Sequence, residues 1–204
     1  MNVTIFNGNP DIYNQEFDRY LDLYKVKMHN TGHYVRSFKL RDMKILDLRS
    51  EDSIIIIDNK DITDDFRYIL NSLDETDLLI IASPLEQGFL TGFTKMILDR
   101  LTKVLQPSQN KPSPWLAGKT GIARIPLMGM IMQKEADTNE QDLLLNKLSG
   151  ERIAANIHTV LDFCITTDTG VSDAVCKTFQ SIDYNSYIEK TYTDLIAGSA
   201  YSGN

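Results

Sequence analysis

The sequence predicts an α/β protein built on a parallel sheet. Three observations carry that reading. Leu78–Ala82 is a five-residue apolar run, too short for a buried helix and suited to a fully buried strand. A loop with Gly88 and Gly92 follows, and apolar residues then return at Phe93, Met96, Ile97, Leu101, Val104 and Leu105, the spacing of one helix face. The start of the chain repeats the same order: Val3–Phe6 reads as a short strand, Asn7-Gly8-Asn9-Pro10 breaks it, and a helical pattern follows. Strands alternating with helices belong to α/β folds, and the strand–helix–strand order predicts a right-handed parallel crossover.

The first helix is expected from about Asn14 to Met28, with Phe17, Tyr20, Leu21, Tyr24 and Met28 on one face and Asn30-Thr31-Gly32 ending it. Tyr34–Leu40 alternates as a second strand. Arg41–Asp61 is irregular and holds the run Ile54–Ile57, which is β-prone and hard to leave exposed. Asp61-Ile62-Thr63-Asp64-Asp65 opens a helix through Leu73, its acids favoured by the helix dipole. Ser83-Pro84 is expected to end the central strand, because proline cannot donate to a sheet ladder.

Past the central helix, Pro107–Pro114 reads as a loop before Trp115. Lys119–Met132 is the fourth strand region. Asn139–Val160 is a helix with Leu143, Leu144, Leu148, Ile153, Ile157 and Val160 inward and a possible interruption at Gly150. Leu161–Thr166 is the fifth strand, and Tyr184–Ala197 a closing helix.

The 204 residues suit one domain, 1–204, with a sizeable core. A net charge of −7 repels a phosphate backbone, so nucleic acid is not the expected partner. No apolar run approaches the roughly 20 residues that cross a bilayer, and MNVTIF lacks a signal-peptide pattern. Cys164 and Cys176 are the only cysteines, too few for a disulfide scaffold or a cluster. Cytoplasmic residence is the expectation. His29, His33 and His158 share no metal-ligand spacing.

In open parallel sheets ligands sit at the carboxyl ends of strands, so the loop Ser83–Gly92 is the first place to look for a site. The turn after the first strand is the second, since free N–H groups at a helix start bind phosphate. There the stretch NGNPDIYNQEF supplies Asn9 and Asn14 but no Ser or Thr, and it carries Asp11 and Glu16. A plain turn with an asparagine cap fits this stretch equally well.

The residues SPLEQGFLTGFTKMILDRL resemble those of the flavodoxin-like NAD(P)H-dependent FMN reductases and their iron–sulfur flavoprotein relatives: Ser83, Pro84, Gly88, Gly92, Leu98, Asp99 and Arg100 stand where that family carries them. Glu86-Gln87 departs from it, where an aromatic usually lies beside the flavin, and the cluster cysteines are missing. The resemblance implies a three-layer flavodoxin-like fold, five parallel strands in the order 2-1-3-4-5. It implies FMN as cofactor, NAD(P)H as co-substrate and a quinone, flavin or other small molecule as acceptor. Asn7, Asn9 and Asn14 would take the phosphate. Ser83, Pro84, Leu85, Glu86, Gln87 and Gly88 would take the ring and ribityl chain, and Met128 and Gly129 the other ring edge. No side-chain acid or base is required, because the flavin does the redox chemistry. It further implies a homodimer, formed here through Ile54–Ile57, Phe89 and Leu90. The alternative is a flavodoxin-fold protein that has lost FMN and serves as a binding or assembly subunit, motivated by the acids in the first loop and by Glu86-Gln87.

Overall fold

A computed structural model describes residues 1–46, 64–105, 126–157 and 159–180. Ile54–Ile57, Pro107–Pro114, Trp115, His158 and the expected helix Tyr184–Ala197 lie outside them. Among these described residues six strands and five α-helices follow in order: β1 Asn2–Asn7, α1 Gln15–Asn30, β2 Tyr34–Lys39, α2 Phe66–Leu73, β3 Leu78–Glu86, β4 Phe89–Leu90, α3 Gly92–Leu105, β5 Leu127–Gln133, α4 Glu140–Asn156, β6 Leu161–Thr166 and α5 Val171–Gln180. The sheet order is β2-β1-β3-β5-β6. These five strands pair in parallel, in the expected topology. The sixth, β4, is a two-residue antiparallel addition to β3.

Alternation along the strands sorts two cores onto opposite faces. Phe6, Leu79, Ile81, Met128, Met130 and Met132 meet α2, α3 and the end of α4. Val3, Ile5, Leu78, Ile80, Ile131 and Phe163 meet α1 and α5. The expected face of α1 is confirmed, with Phe17, Leu21, Tyr24 and Met28 buried and Asn14 capping the helix by accepting the Phe17 N–H. Gly32 follows at φ +84, the conformation that favours glycine past a helix end.

Two expectations are corrected. Ser83-Pro84 does not end β3, which runs to Glu86. The Ala82 carbonyl faces β1 and accepts from Gly8 N–H at 2.7 Å. Two residues on, Pro84 faces the same side, where β1 has already ended, so its missing donor costs no ladder bond. Of the expected fourth strand region Lys119–Met132, residues 119–125 lie outside the described residues, and the strand runs over Leu127–Gln133 within them. Of the expected inward face of α4, Leu143, Ile153 and Ile157 do pack on the core, joined by Asn146, Gly150 and Ala154, while Leu144 and Leu148, like Val160 beyond the helix, are exposed. Gly150 does not break this helix but lets it approach the sheet, since a Cβ there would stand 2.3 Å from Met130 Sδ. Finally, α5 was not anticipated. It contributes only a short apolar face, Ala174 and Val175, with Thr178 hydrogen-bonded to Tyr24 Oη at 2.7 Å.

Arg100 is 1% exposed and pairs with the buried Asp64 just before α2, while Asp99 lies on the surface against Lys95. The conspicuous Asp99-Arg100 pair is therefore divided between a solvated face and a buried stitch joining α3 to α2.

Candidate functional site

The carboxyl ends of β1, β3 and β5 bring three loops together: residues 8–14, the β3–β4 turn, and residues 134–139. The β3–β4 turn is a two-residue hairpin loop. Gln87 has φ +54 and Gly88 φ +78. Positive φ at both central positions is the hairpin turn whose twist matches that of its strands. Its tip is braced from two directions. Gly88 N–H donates to Glu135 Oε2 at 3.1 Å, and Asn146 Nδ2 donates to the Gly88 carbonyl at 2.7 Å. Asn14 Nδ2 donates to Gln133 Oε1 at 2.6 Å, tying the first loop to the end of β5.

Beneath this rim lies a buried hydroxyl cluster. Thr91 Oγ1 donates to the Gly8 carbonyl at 2.7 Å, Thr94 Oγ1 donates to Ser83 Oγ at 3.0 Å, and Ser83 Oγ donates to the Pro84 carbonyl at 2.8 Å. A Cβ on Gly8 would stand 1.8 Å from Thr94 Oγ1, so only glycine admits the start of α3 this close to the first loop. The hydroxyls missing from the loop's own sequence thus come from β3 and the start of α3, but they face inward and bond to one another.

The loop's polar groups are also engaged. Asn7 Nδ2 and Asn9 Nδ2 both donate to Asp18 Oδ1, at 2.7 and 3.2 Å. Arg41 Nη2 donates to Asp18 Oδ2 at 2.6 Å, and Lys39 Nζ stands 3.5 Å from the same oxygen. Burial alone would raise the Asp18 pKa. Hydrogen bonds from Arg41, Asn7 and Asn9, with the charge of Arg41, outweigh it and lower the pKa from its ordinary 3.8 to about 2. Asn9 and Asp11 N–H groups donate to Asn7 Oδ1 and Asn9 Oδ1, and Tyr13 N–H donates to Asp11 Oδ1. Chemically the loop is an anion site, with two amides, two cations and a helix start, and the carboxylate it holds is its own.

Of the residues named from the sequence, Asn7, Asn9, Asn14, Glu86, Gln87 and Gly88 come together at this edge. Ser83, Pro84 and Leu85 reach it as the buried floor. Met128 and Gly129 do not: they lie in the first half of β5, paired with Leu79 and Ile80 inside the sheet. Gly129 is a packing position, since a Cβ there would lie 2.2 Å from the Phe163 ring. The carboxyl end of β5 is instead Met132-Gln133. Sequence reasoning missed Asp18, Arg41, Gln133, Glu135 and Asn146. Two exposed aromatics stand at this edge, Tyr13 at 82% and Phe89 at 63% exposed. A groove of about 320 Å³ runs along β6, with Cys164 in its wall. Burial pushes that thiol up to about 11, which leaves it a poor nucleophile.

A family profile described as NADPH-dependent FMN reductase matches residues 1–130. Among solved structures, RosB with a bound 8-demethyl-8-formylriboflavin-5'-phosphate intermediate aligns at TM-score 0.59 and 13% identity, over 100% of this chain and 88% of that one. A flavone reductase aligns at 0.58 and 13%, over 94% of this chain, which spans 63% of that longer protein. An NAD(P)H:quinone oxidoreductase from Methanothermobacter marburgensis aligns at 0.53 and 17%, over 87% and 89%. At these identities the likeness is one of fold. Curated protein sequences give no match.

Proposed function

The chain belongs to the NADPH-dependent FMN reductase family, and from that premise we propose that the three braced loops at its carboxyl edge hold FMN. The protein is an FMN-dependent NAD(P)H oxidoreductase, and its electrons go to a quinone, flavin or other small acceptor. The flavin supplies the hydride and electron transfer, and the chain supplies position and electrostatics. The observation that carries the site is the cross-bracing. Asn14–Gln133 and Gly88–Glu135 join loops distant in sequence at one edge of the sheet. Tyr13 and Phe89 offer exposed rings for an isoalloxazine to lie against. The Gln87-Gly88 turn places backbone groups beside it, and Ser83–Leu85 form its floor.

Titration of the protein into FMN, read by flavin fluorescence, tests this reading. Saturable quenching that is lost in a Phe89→Ala, Tyr13→Ala double variant is the expected result. No quenching up to about 0.1 mM protein, a binding energy weaker than about 5.5 kcal/mol, would refute the reading.

A homodimer completes the proposal. Leu144, Leu145 and Leu148 are half exposed on α4, the helix whose Asn146 grips the hairpin beside Phe89. Contiguous exposed apolar surface marks an interface, and a stable one buries about 800 Å² per partner. Sedimentation of wild type and of Leu145→Asp checks it. A wild-type monomer at micromolar concentration would exclude the dimer. Among the described residues no helix is long and apolar enough to cross a membrane. The cysteines Cys164 and Cys176 are free, which suits the reducing cytoplasm as the compartment of this reading.

A further inference from the structure

The first loop is an anion site already holding an anion. Four side chains converge on one carboxylate: Asn7 at the end of β1, Asn9 in the loop, Lys39 at the end of β2, and Arg41 just beyond it. Asn7 and Asn9 are buried, and the Asp18 side chain is only 14% exposed. The loop's backbone is spent as well. Gly8 N–H goes to Ala82, Asn14 N–H to the Asp11 carbonyl and Gln15 N–H to the Tyr13 carbonyl. Phe17 N–H goes to Asn14 Oδ1. With the bonds of Asn9, Asp11 and Tyr13 already described, the N–H groups of Ile12 and Glu16 are left for a ligand.

A phosphate monoester, carrying about −1.5 to −2 charge at neutral pH, would meet a site whose amide and cationic donors already converge on the Asp18 carboxylate. A like charge held at contact range repels it, most strongly where water is excluded. That repulsion, and donors already spent on Asp18, oppose the charge-assisted contacts a phosphate normally makes.

We propose that Asp18 stands in for the cofactor phosphate and sets flavin specificity, so that this chain binds a flavin through ring and ribityl chain and gains little from the 5'-phosphate. The proposal rests on the flavin reading above. Riboflavin and FMN then bind with affinities within about threefold of each other. Removing the charge of Asp18 while keeping its shape frees Arg41 and Lys39 for the phosphate.

The experiment measures the dissociation constants of riboflavin and FMN for wild type and Asp18→Asn by fluorescence quenching. Asp18→Ser is run beside them in case the amide disturbs the fold. Expected are near-equal affinities in wild type and a gain of tenfold or more for FMN alone in the variants, with riboflavin unmoved. FMN binding to wild type more than tenfold tighter than riboflavin overturns the proposal. So does a variant in which both flavins shift equally, which makes Asp18 merely structural. If neither flavin binds any of the proteins, the flavin reading itself fails and takes this inference with it.

Discussion

Replacing Arg100 by methionine should lower stability by about 3–5 kcal/mol, the cost of leaving a buried charge without its partner. The structure shows why the cost falls at the high end. Asp64 is fully buried, and its carboxylate is shared by the Arg100 guanidinium, the Leu46 N–H at 2.8 Å and the Phe66 N–H at 3.2 Å. Removing the guanidinium leaves two neutral donors to hold that charge. The Leu46 carbonyl loses the Arg100 Nη1 bond at 3.0 Å, and the Phe66 ring loses a cation stacked 4.2 Å from its centre. Urea unfolding followed by circular dichroism reads the change. With a slope of about 2–3 kcal/mol per molar, the midpoint should fall by more than about 1 M. The double variant Asp64→Asn, Arg100→Met should recover a large part of the loss, because asparagine keeps an acceptor for Phe66 or Leu46 without the charge. A loss under about 1 kcal/mol in the single variant, or strict additivity in the double, would refute the reasoning.

Three further outcomes follow from the geometry. The Asp18 carboxyl has a lowered pKa in the fold, so it adds stability above its unfolded value of about 4 and loses it as pH falls toward 2. About 2 kcal/mol is at stake, and Asp18→Asn should flatten that part of an acid-unfolding curve. Gln87 holds a left-handed conformation at φ +54, so Gln87→Asn, giving an Asn-Gly turn, should stabilise by up to about 1 kcal/mol. That gain is readable as a melting temperature raised by about 2–4 °C, and an unchanged or lowered value would show that the turn carries no such strain. Gly129→Ala should cost about 1–3 kcal/mol by overpacking against Phe163; a melting curve that matches wild type would mean the ring moves freely aside.

Much of this fold was legible because local pattern and burial agree. Leu78–Ala82 had to be a central strand: five apolar residues in a row can be satisfied only with both faces of the sheet covered. The α1 face was legible because Phe17, Leu21, Tyr24 and Met28 recur at helical spacing and the helix has one buried side. The candidate site was sought from the strand–turn–helix order, since a parallel sheet opens its ligand edge where the strands end.

Other features depended on neighbours that no local window contains. The continuation of β3 through Pro84 was decided by where β1 stops. The rotation of α4 was decided by the close approach at Gly150, which outweighed two leucines that the helical spacing had placed inward. The state of the first loop was decided furthest from its own sequence. The residues read as opposing a phosphate were Asp11 and Glu16, the nearest acids. The residue that fills the site is Asp18, brought there by a full turn of α1 and held by Arg41, 23 positions away. Sequence spacing fixes which residues share a face, but a charge finds its partner through space, and only the packed sheet brings the ends of β1 and β2 to the same carboxylate.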